Sequence, residues 1–376
     1  MPKLLPNVDP DGLREFSVVY TDRALNHMSM AFRTVMTDIA RILKQTYHAH
    51  SAIVVPGSGT FGMEAVARQF ATGKKCLVIR NGWFSYRWTQ IFDTGQIPAE
   101  TMVMKAGRIG NELQSPFAPA TIESVVAAIQ SYQPDVIFAP HVETASGMIL
   151  PEAYLRAVSA AARAAGSLFV LDCIASGALW PDMEAIGIDV LISAPQKGWS
   201  GPPCCALVML GERARIRIDA SSSSSFACDL RKWLQIMEAY EKGSYAYHAT
   251  LPTDALRSLR DVMLEAEALG FARLQGAQLE LGAKVRELLE RKGFRSVAAD
   301  GFQAPGVVVS YTDDPAIQSG ARFIECGLQI AAGVPLQCDE PADFRTFRIG
   351  LFGIDKLLNI AATVGQIEQA LIKIAR

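Results

Sequence analysis

No run of apolar residues in this chain reaches the roughly 20 residues that a membrane-spanning helix needs, which excludes a helical span. Residues 1–10 hold too few apolar side chains for a signal peptide. An excess of one charge is also missing. Lys and Arg number 36 against 38 Asp and Glu, a formal net charge of −2, so nothing calls for nucleic acid or an acidic membrane surface. The seven cysteines, at positions 76, 173, 204, 205, 228, 326 and 338, lack metal-ligand spacing, and Cys204 and Cys205 are adjacent rather than C-x-x-C. No metal is expected. An odd cysteine count without a signal sequence points to reduced thiols and a cytoplasmic setting. No internal repeat is visible. What is present is a globular composition, 376 residues that are 50% hydrophobic and 20% charged, a length that suggests about two domains.

Residues 1–25 read as an extended arm punctuated by Pro2, Pro6 and Pro10. From Asn26 to Tyr47, the residues Met28, Phe32, Val35, Ile39 and Ile42 recur at helical spacing. Strand-like runs then alternate with helix-like ones. The strands are expected at Ala52–Val55, Cys76–Ile79, Thr101–Met104, Val136–Ala139, Leu168–Leu171, Val190–Ile192 and Ala206–Met209. This alternation predicts an α/β domain with a mostly parallel seven-stranded sheet flanked by helices. The last two strands are joined too closely for a helix, so one edge is expected to be antiparallel. Ser221–Ser225 reads as a surface connector. After Pro252 a long helical stretch, 253–293, is expected to break at Gly270. Strand-like Val307–Tyr311, a helix near Ala316–Cys326 opened by Pro315, strand-like Phe344–Gly350 and a closing helix follow. The closing helix puts Leu357, Ile360, Val364, Ile367, Leu371 and Ile374 on one face. The expected division is 1–25, an arm; 26–255, a large α/β domain; and 256–376, a smaller α+β domain.

Lys197 follows the apolar run Asp189–Gln196, which reads as a buried strand by its composition, and precedes the turn-forming Gly198-Trp-Ser-Gly-Pro-Pro203. Burial there disfavours an ammonium and yields a neutral, nucleophilic amine. Asp172 ends the apolar run Leu168–Leu171. An amine and an acid at the ends of two neighbouring strands suit pyridoxal phosphate: the amine makes a Schiff base and the acid pairs with the ring nitrogen. Taken singly, each residue is also an ordinary strand-end charge. Gly57-Ser58-Gly59-Thr60 joins a strand to a helix, a place where free N–H groups meet an anion; the alternative is a plain capped turn. It lacks a P-loop lysine and the third glycine of a dinucleotide fingerprint. Phe84 or Trp83 offers an aromatic face for a planar ring, or simply core. Thr144 stands at a strand's carboxyl end, where open sheets bind ligands. Nearby, His141 is either a bonded, half-buried imidazole or catalytic, and Glu143 is a loop acid that pairs with an arginine. Arg348 lies in an apolar strand and is suited to grip a carboxylate in a bidentate way, or to a structural ion pair; Arg345 reads as solvated. The hydroxyls of Tyr247 and Thr250 are suited to phosphate.

Seven pieces in order resemble the class V, fold type I aminotransferases that use pyridoxal phosphate, nearest to the alanine–glyoxylate and serine–glyoxylate enzymes. They are Ser58-Gly59-Thr60, Asn81-Gly-x-Phe84-x-x-Arg87, Glu143-Thr-x-Ser-Gly147, Asp172, Gln196-Lys197, Tyr247-x-x-Thr250 and Arg348-Ile-Gly-Leu-x-Gly353. The resemblance runs from about residue 26 to the C-terminus, and it implies that Lys197 forms the internal aldimine and acts as the base. It implies that Asp172 keeps the ring nitrogen protonated, that Phe84 stacks on the ring and that Thr144 bonds its edge. Ser58, Gly59, Thr60 and Gln196 would hold the phosphate, with Ile174 beside the cofactor. Tyr247 and Thr250 would reach the phosphate of a neighbouring subunit, which implies a homodimer with sites at its interface. Arg348 would bind the α-carboxylate of an alanine- or serine-like donor, and glyoxylate or pyruvate would be the 2-oxo acid acceptor, in ping-pong order. One departure stands out. Where the family carries an Asn/Gly-Pro-Gly-Pro turn, this chain has Ser17-Val-Val-Tyr-Thr-Asp-Arg23, so Tyr20, Asp22 and Arg23 are expected to add bulk or charge to the substrate pocket. The alternative reaction on the same cofactor is a lyase or desulfurase, which needs a mobile cysteine such as Cys326 or Cys338. A cofactor-bound DNA regulator is disfavoured because no basic DNA-binding module precedes residue 26.

Overall fold

The structure, a computed structural model, describes residues 13–374. Residues 1–12 of the expected arm, with Pro2, Pro6 and Pro10, lie outside the described residues. Seven apolar runs form one sheet: β1 (Ser51–Pro56), β2 (Lys75–Arg80), β3 (Glu100–Lys105), β4 (Val136–Pro140), β5 (Leu168–Asp172), β6 (Val190–Ser193) and β7 (Cys205–Leu210). Each lies within one residue of its expected run. β4 to β7 are buried along their whole length, so their residues do not alternate between polar and apolar. Helices α1 (Met30–Tyr47), α2 (Gly59–Phe70), α3 (Trp83–Gly95), α4 (Ile122–Tyr132), α5 (Glu152–Ala164) and α6 (Leu230–Glu241) flank the sheet.

The strand order is β1-β7-β6-β5-β4-β2-β3. β6, β5, β4, β2 and β3 run parallel, whereas β7 is antiparallel to both β6 and β1. The reversed strand is therefore second from the edge, not at the edge as expected. The connection 194–204 contains no helix, so β7 returns directly beside β6, and β1 then pairs with its free side.

The C-terminal portion begins with α7 (Thr253–Leu269) and α8 (Phe271–Arg291), which break at Gly270, where φ is 92°. α7 packs Leu256, Leu259 and Met263 into the main core, whereas α8 packs Leu274, Leu281, Val285 and Leu288 into a second one. A small antiparallel sheet, with strands β8 (Val307–Tyr311), β9 (Ala331–Ala332) and β10 (Thr346–Gly350), has the order β8-β10-β9. The helix expected near Ala316–Cys326 is two short pieces, Pro315–Gln318 and Ala321–Glu325, because Gly320 adopts a φ of 84° between them. Leu357 likewise sits on its own short helix, Ile354–Leu358, ahead of α9 (Ile360–Ile374).

The carboxyl ends of β1, β2, β4, β5 and β6 share one edge of the sheet. Ser58, Phe84, Thr144, Asp172 and Lys197 follow or occupy those ends. Ligands of open α/β sheets bind at such an edge.

Candidate active site

β6 ends at Ser193, four residues before Lys197. Pro195 has no N–H to give a ladder, so the chain turns there instead. The turn is held on both sides. A Cβ on Gly198 would collide with the carbonyl oxygen of Gly177, so only glycine allows that approach. Trp199 is buried and packs against Trp180 and Phe271 at ring-centroid distances of 5.6 and 6.0 Å. The anchored turn leaves Lys197 part-buried. Its Nζ stands 5.9 Å from the Phe84 ring centre and 5.5 Å from that of Phe352. Burial lowers its pKa; Asp172 opposes that shift, and Arg348 adds to it.

Asp172 closes β5 and is buried. Its Oδ1 accepts the Ile174 amide proton at 2.9 Å. Burial pushes its carboxyl up to about 6, with the Ile174 hydrogen bond opposing. A strand-end acid this deep keeps its proton to a higher pH than a free carboxyl does, until a cation is brought to it.

α2 begins under Ser58, but the Ser58 side chain makes no capping hydrogen bond. Phe61 N donates to the Ser58 carbonyl at 2.9 Å, which leaves the amides of Gly59 and Thr60 for an anion. Gly59 is pressed against Ile174, since a Cβ there would lie 2.6 Å from Ile174 Cδ1. Arg87 Nη1 donates to Thr60 Oγ1 at 3.1 Å, which adds positive charge at the same corner. Phe84 sits among three cations: the guanidinium carbons of Arg87 and Arg348 are 5.2 and 5.5 Å from its ring centre, and Lys197 Nζ is the third.

Glu143 does not pair with an arginine as expected. It is fully buried and caps α3. Its Oε2 accepts from Ser85 N and Ser85 Oγ at 2.8 and 2.7 Å, and its Oε1 accepts from Phe84 N and Ala145 N at 3.3 and 3.0 Å. The carboxylate thus satisfies otherwise orphaned helix amides and fixes the turn that presents Phe84. Gly82 is required beside it, because a Cβ would lie 2.7 Å from Glu143 Cγ.

One cavity gathers Ser58, Gly59, Thr60, Phe84, Thr144, Asp172, Ile174, Gln196 and Lys197. Phe84, not Trp83, is the aromatic that lines it. Arg348, on β10, does not line it but stands beside it, its guanidinium carbon 5.5 Å from the Phe84 ring centre and its Nε donating to the Ala332 carbonyl at 2.8 Å. Two residues here escaped the sequence reading as site members: Arg87, which was signalled by its place one helical turn after Phe84, and Phe352, which was hidden inside the Arg348–Gly353 motif. Tyr247 and Thr250 do not line the cavity. Their hydroxyls are 3.1 Å apart on an exposed surface. Nor do Tyr20, Asp22 or Arg23 line it. Tyr20 donates its hydroxyl to the Leu251 carbonyl at 3.1 Å, and Asp22 accepts the Glu15 amide proton at 2.8 Å, so this segment adds no bulk to the pocket of its own chain. His141 is buried, lies 2.7 Å from Ser176 Oγ and is pushed down to about 4 by burial, so it stays neutral and structural. Arg345 donates to the Asp313 carbonyl at 3.0 Å. Cys326 donates to the Ala370 carbonyl in the second core, and the buried Cys338 thiol is pushed up to about 12, so neither supplies the mobile thiolate of a desulfurase.

No protein-family model matches the chain. Among curated proteins it is 27% identical over 335 residues to 2-aminoethylphosphonate–pyruvate transaminase 2 of Paraburkholderia xenovorans, covering 87% of this chain and 85% of that one. It is 22% identical over 358 residues to alanine–glyoxylate aminotransferase of Rattus norvegicus, covering 92% and 81%. The solved structure of alanine–glyoxylate aminotransferase from Nostoc sp. superposes with a TM-score of 0.78 at 20% identity, covering 93% and 89%, and shares the fold. The chain is similar in sequence to class V aminotransferases and shares fold type I with their solved structures. Its relatives are aminotransferases, and the cofactor they imply is pyridoxal phosphate. The cavity fits that group in three respects. The uncapped α2 amides and Arg87 suit a phosphate. The buried Asp172 lacks a cation within ion-pair distance among the described residues and suits a protonated ring nitrogen. The part-buried Lys197 amine suits a carbonyl carbon.

Proposed function

We propose that the enzyme transfers the amino group of a small α-amino acid, alanine- or serine-like, to a small 2-oxo acid of the glyoxylate or pyruvate kind, by ping-pong kinetics. The observation that carries this reading is the placement of the Arg348 guanidinium and the Lys197 amine on the same ring, Phe84. A guanidinium there can hold an α-carboxylate while the amine reaches the adjacent Cα. The relatives support the substrate class through the alanine–glyoxylate and pyruvate activities in their names.

Pyridoxal phosphate, when bound, supplies an electron sink for charge that develops at the substrate Cα. The chain supplies the rest. Lys197, whose pKa burial lowers, would take the proton from Cα and hold it at Nζ. Asp172, ionised when it faces a cation, would hold positive charge at the ring nitrogen. Phe84 would hold the face of the ring, Thr144 its edge, and Ser58, Gly59, Thr60 and Gln196 the phosphate. Arg348 would hold the carboxylate and so orient Cα toward Lys197.

A homodimer belongs to the same proposal. Tyr247 is 54% exposed and pairs with Thr250 away from its own cavity, which supports its use by the partner's phosphate site. Tyr20 packs its ring 5.6 Å from that of His27, which in turn lies 5.6 Å from Tyr247, so Tyr20 would join the same interface. A large domain, 26–255, and a smaller one, 256–376, are part of this reading, with α7 as the strut between them. None of the seven cysteines is disulfide-bonded, which supports a reducing, cytoplasmic setting. The described residues contain no helix long and apolar enough to cross a membrane.

The test is a screen of amino donors against glyoxylate and pyruvate on purified holoenzyme. Alanine or serine is expected to give the highest kcat/KM. If 2-aminoethylphosphonate, which has no α-carboxylate, turns over best, the α-amino-acid donor assignment is wrong.

A further inference from the structure

Gln278, midway along α8, is 0% exposed, a rare position for an amide with so many bonds to satisfy. Its Oε1 accepts from Ala178 N at 3.4 Å, and its Nε2 donates to the carbonyls of Pro305 and Leu351 at 3.1 and 3.3 Å. One helical turn on, a Cβ at Gly282 would lie 2.5 Å from the Pro305 Cα and carbonyl oxygen. Residues four apart share a helix face, so the face at 278 and 282 is docked backbone-close on Pro305.

Each segment that Gln278 holds leads into the active site. Ala178 follows Gly177, whose carbonyl abuts Gly198, next to Lys197. Leu351 stands between Arg348 and Phe352. Gly306, next to Pro305, is where a Cβ would lie 3.2 Å from the Phe352 ring. A second tie joins the same two loops: Ile354 N donates to Ser200 Oγ at 2.9 Å. A methionine of similar volume would fill the space around Gln278 without demanding any of these bonds. The amide therefore specifies a geometry rather than merely filling a core.

We infer that Gln278 is a positioning residue, whose side chain sets the Leu351–Phe352 segment against the Lys197 turn and so fixes where Arg348 and Phe352 stand relative to the lysine. This rests on the reading of Arg348 as the carboxylate site. A guanidinium displaced by a fraction of an ångström meets the substrate carboxylate poorly, and the loss falls on substrate binding.

The experiment compares the holoenzyme with Gln278→Met, Gly306→Ala and Arg348→Ala. Gln278→Met is expected to raise KM for the amino donor about tenfold while kcat changes less than about threefold. Gly306→Ala keeps the amide but pushes on the Phe352 ring, and the same KM signature is expected. It decides the matter if Gln278→Met gives no soluble protein. A lower melting temperature with wild-type KM would show a purely structural amide and overturn the inference. Arg348→Ala separates the two possible failures. If it alone raises KM, the positioning role falls and the carboxylate site stands. If it leaves KM unchanged, the carboxylate reading falls and takes the positioning role with it.

Discussion

Glu143 and Ser85 are joined twice, through the Ser85 amide at 2.8 Å and the Ser85 hydroxyl at 2.7 Å, both to Oε2 of a carboxylate with no exposed surface. The pair locks the start of α3, the turn that carries Phe84. Glu143→Ala would strand several buried donors at once. It is expected to cost about 3 kcal/mol of stability, and Glu143→Gln less, because an amide still accepts. Urea unfolding of the cofactor-free protein measures this, and an unchanged midpoint for Glu143→Ala would contradict the capping role.

Asp172 carries a pH signature with a definite sign. Its carboxyl is raised from 3.8 to about 6, so the folded chain binds this proton more tightly than the unfolded one. Between those values the folded state holds the extra proton, and its stability falls as pH rises; above about 6 the penalty is constant, on the order of 3 kcal/mol. Asp172→Asn should remove this component, leaving the cofactor-free protein more stable at pH 7 than wild type while weakening its hold on pyridoxal phosphate. Unfolding midpoints of both cofactor-free proteins from pH 4 to pH 7 check it; parallel curves would refute the assignment.

Arg348 is held by one backbone carbonyl, Ala332 O, and no carboxylate lies within ion-pair distance of it among the described residues. Its role is therefore expected to appear on substrate rather than on stability. Arg348→Ala should raise KM for α-amino acids by roughly a hundredfold, and Arg348→Lys should recover only part, since an ammonium cannot grip both oxygens in a planar fork. Steady-state kinetics with donors that have and lack an α-carboxylate separate this effect from general damage.

The proposed use of Tyr247 and Thr250 by the partner subunit makes a complementation experiment decisive. Lys197→Ala chains and Tyr247→Ala chains should each form weak or inactive enzymes. Mixed dimers would contain one site with both residues native. Activity regained on co-refolding the two variants is the expected result, and no gain over either parent would place Tyr247 outside the neighbour's site.

The strands were legible because a sheet covered on both faces leaves continuous apolar runs, as in Leu168–Leu171 and Val190–Ile192. Lys197 and Asp172 stood out because charges are costly where such runs end. The position of β7 within the sheet was not legible, since strand order depends on pairings such as Ser51 with Leu210, remote in the chain. The cap formed by Glu143 was hidden for the same reason: its Ser85 partner is 58 residues away. Gln278 gave no signal at all, because a single glutamine on an amphipathic helix reads as solvated until the backbone it touches is known. The Ser17–Arg23 segment was assigned to its own pocket through a motif position, but Tyr20 instead turns to Leu251.

The most direct test is chemical. The holoenzyme is treated with borohydride, which fixes a reducible carbon–nitrogen bond between pyridoxal phosphate and an amine, then digested and mapped by mass spectrometry. The cofactor mass should be found on Lys197 alone. A label on any other lysine, or none on a protein that carries the cofactor, would contradict the account from its first step.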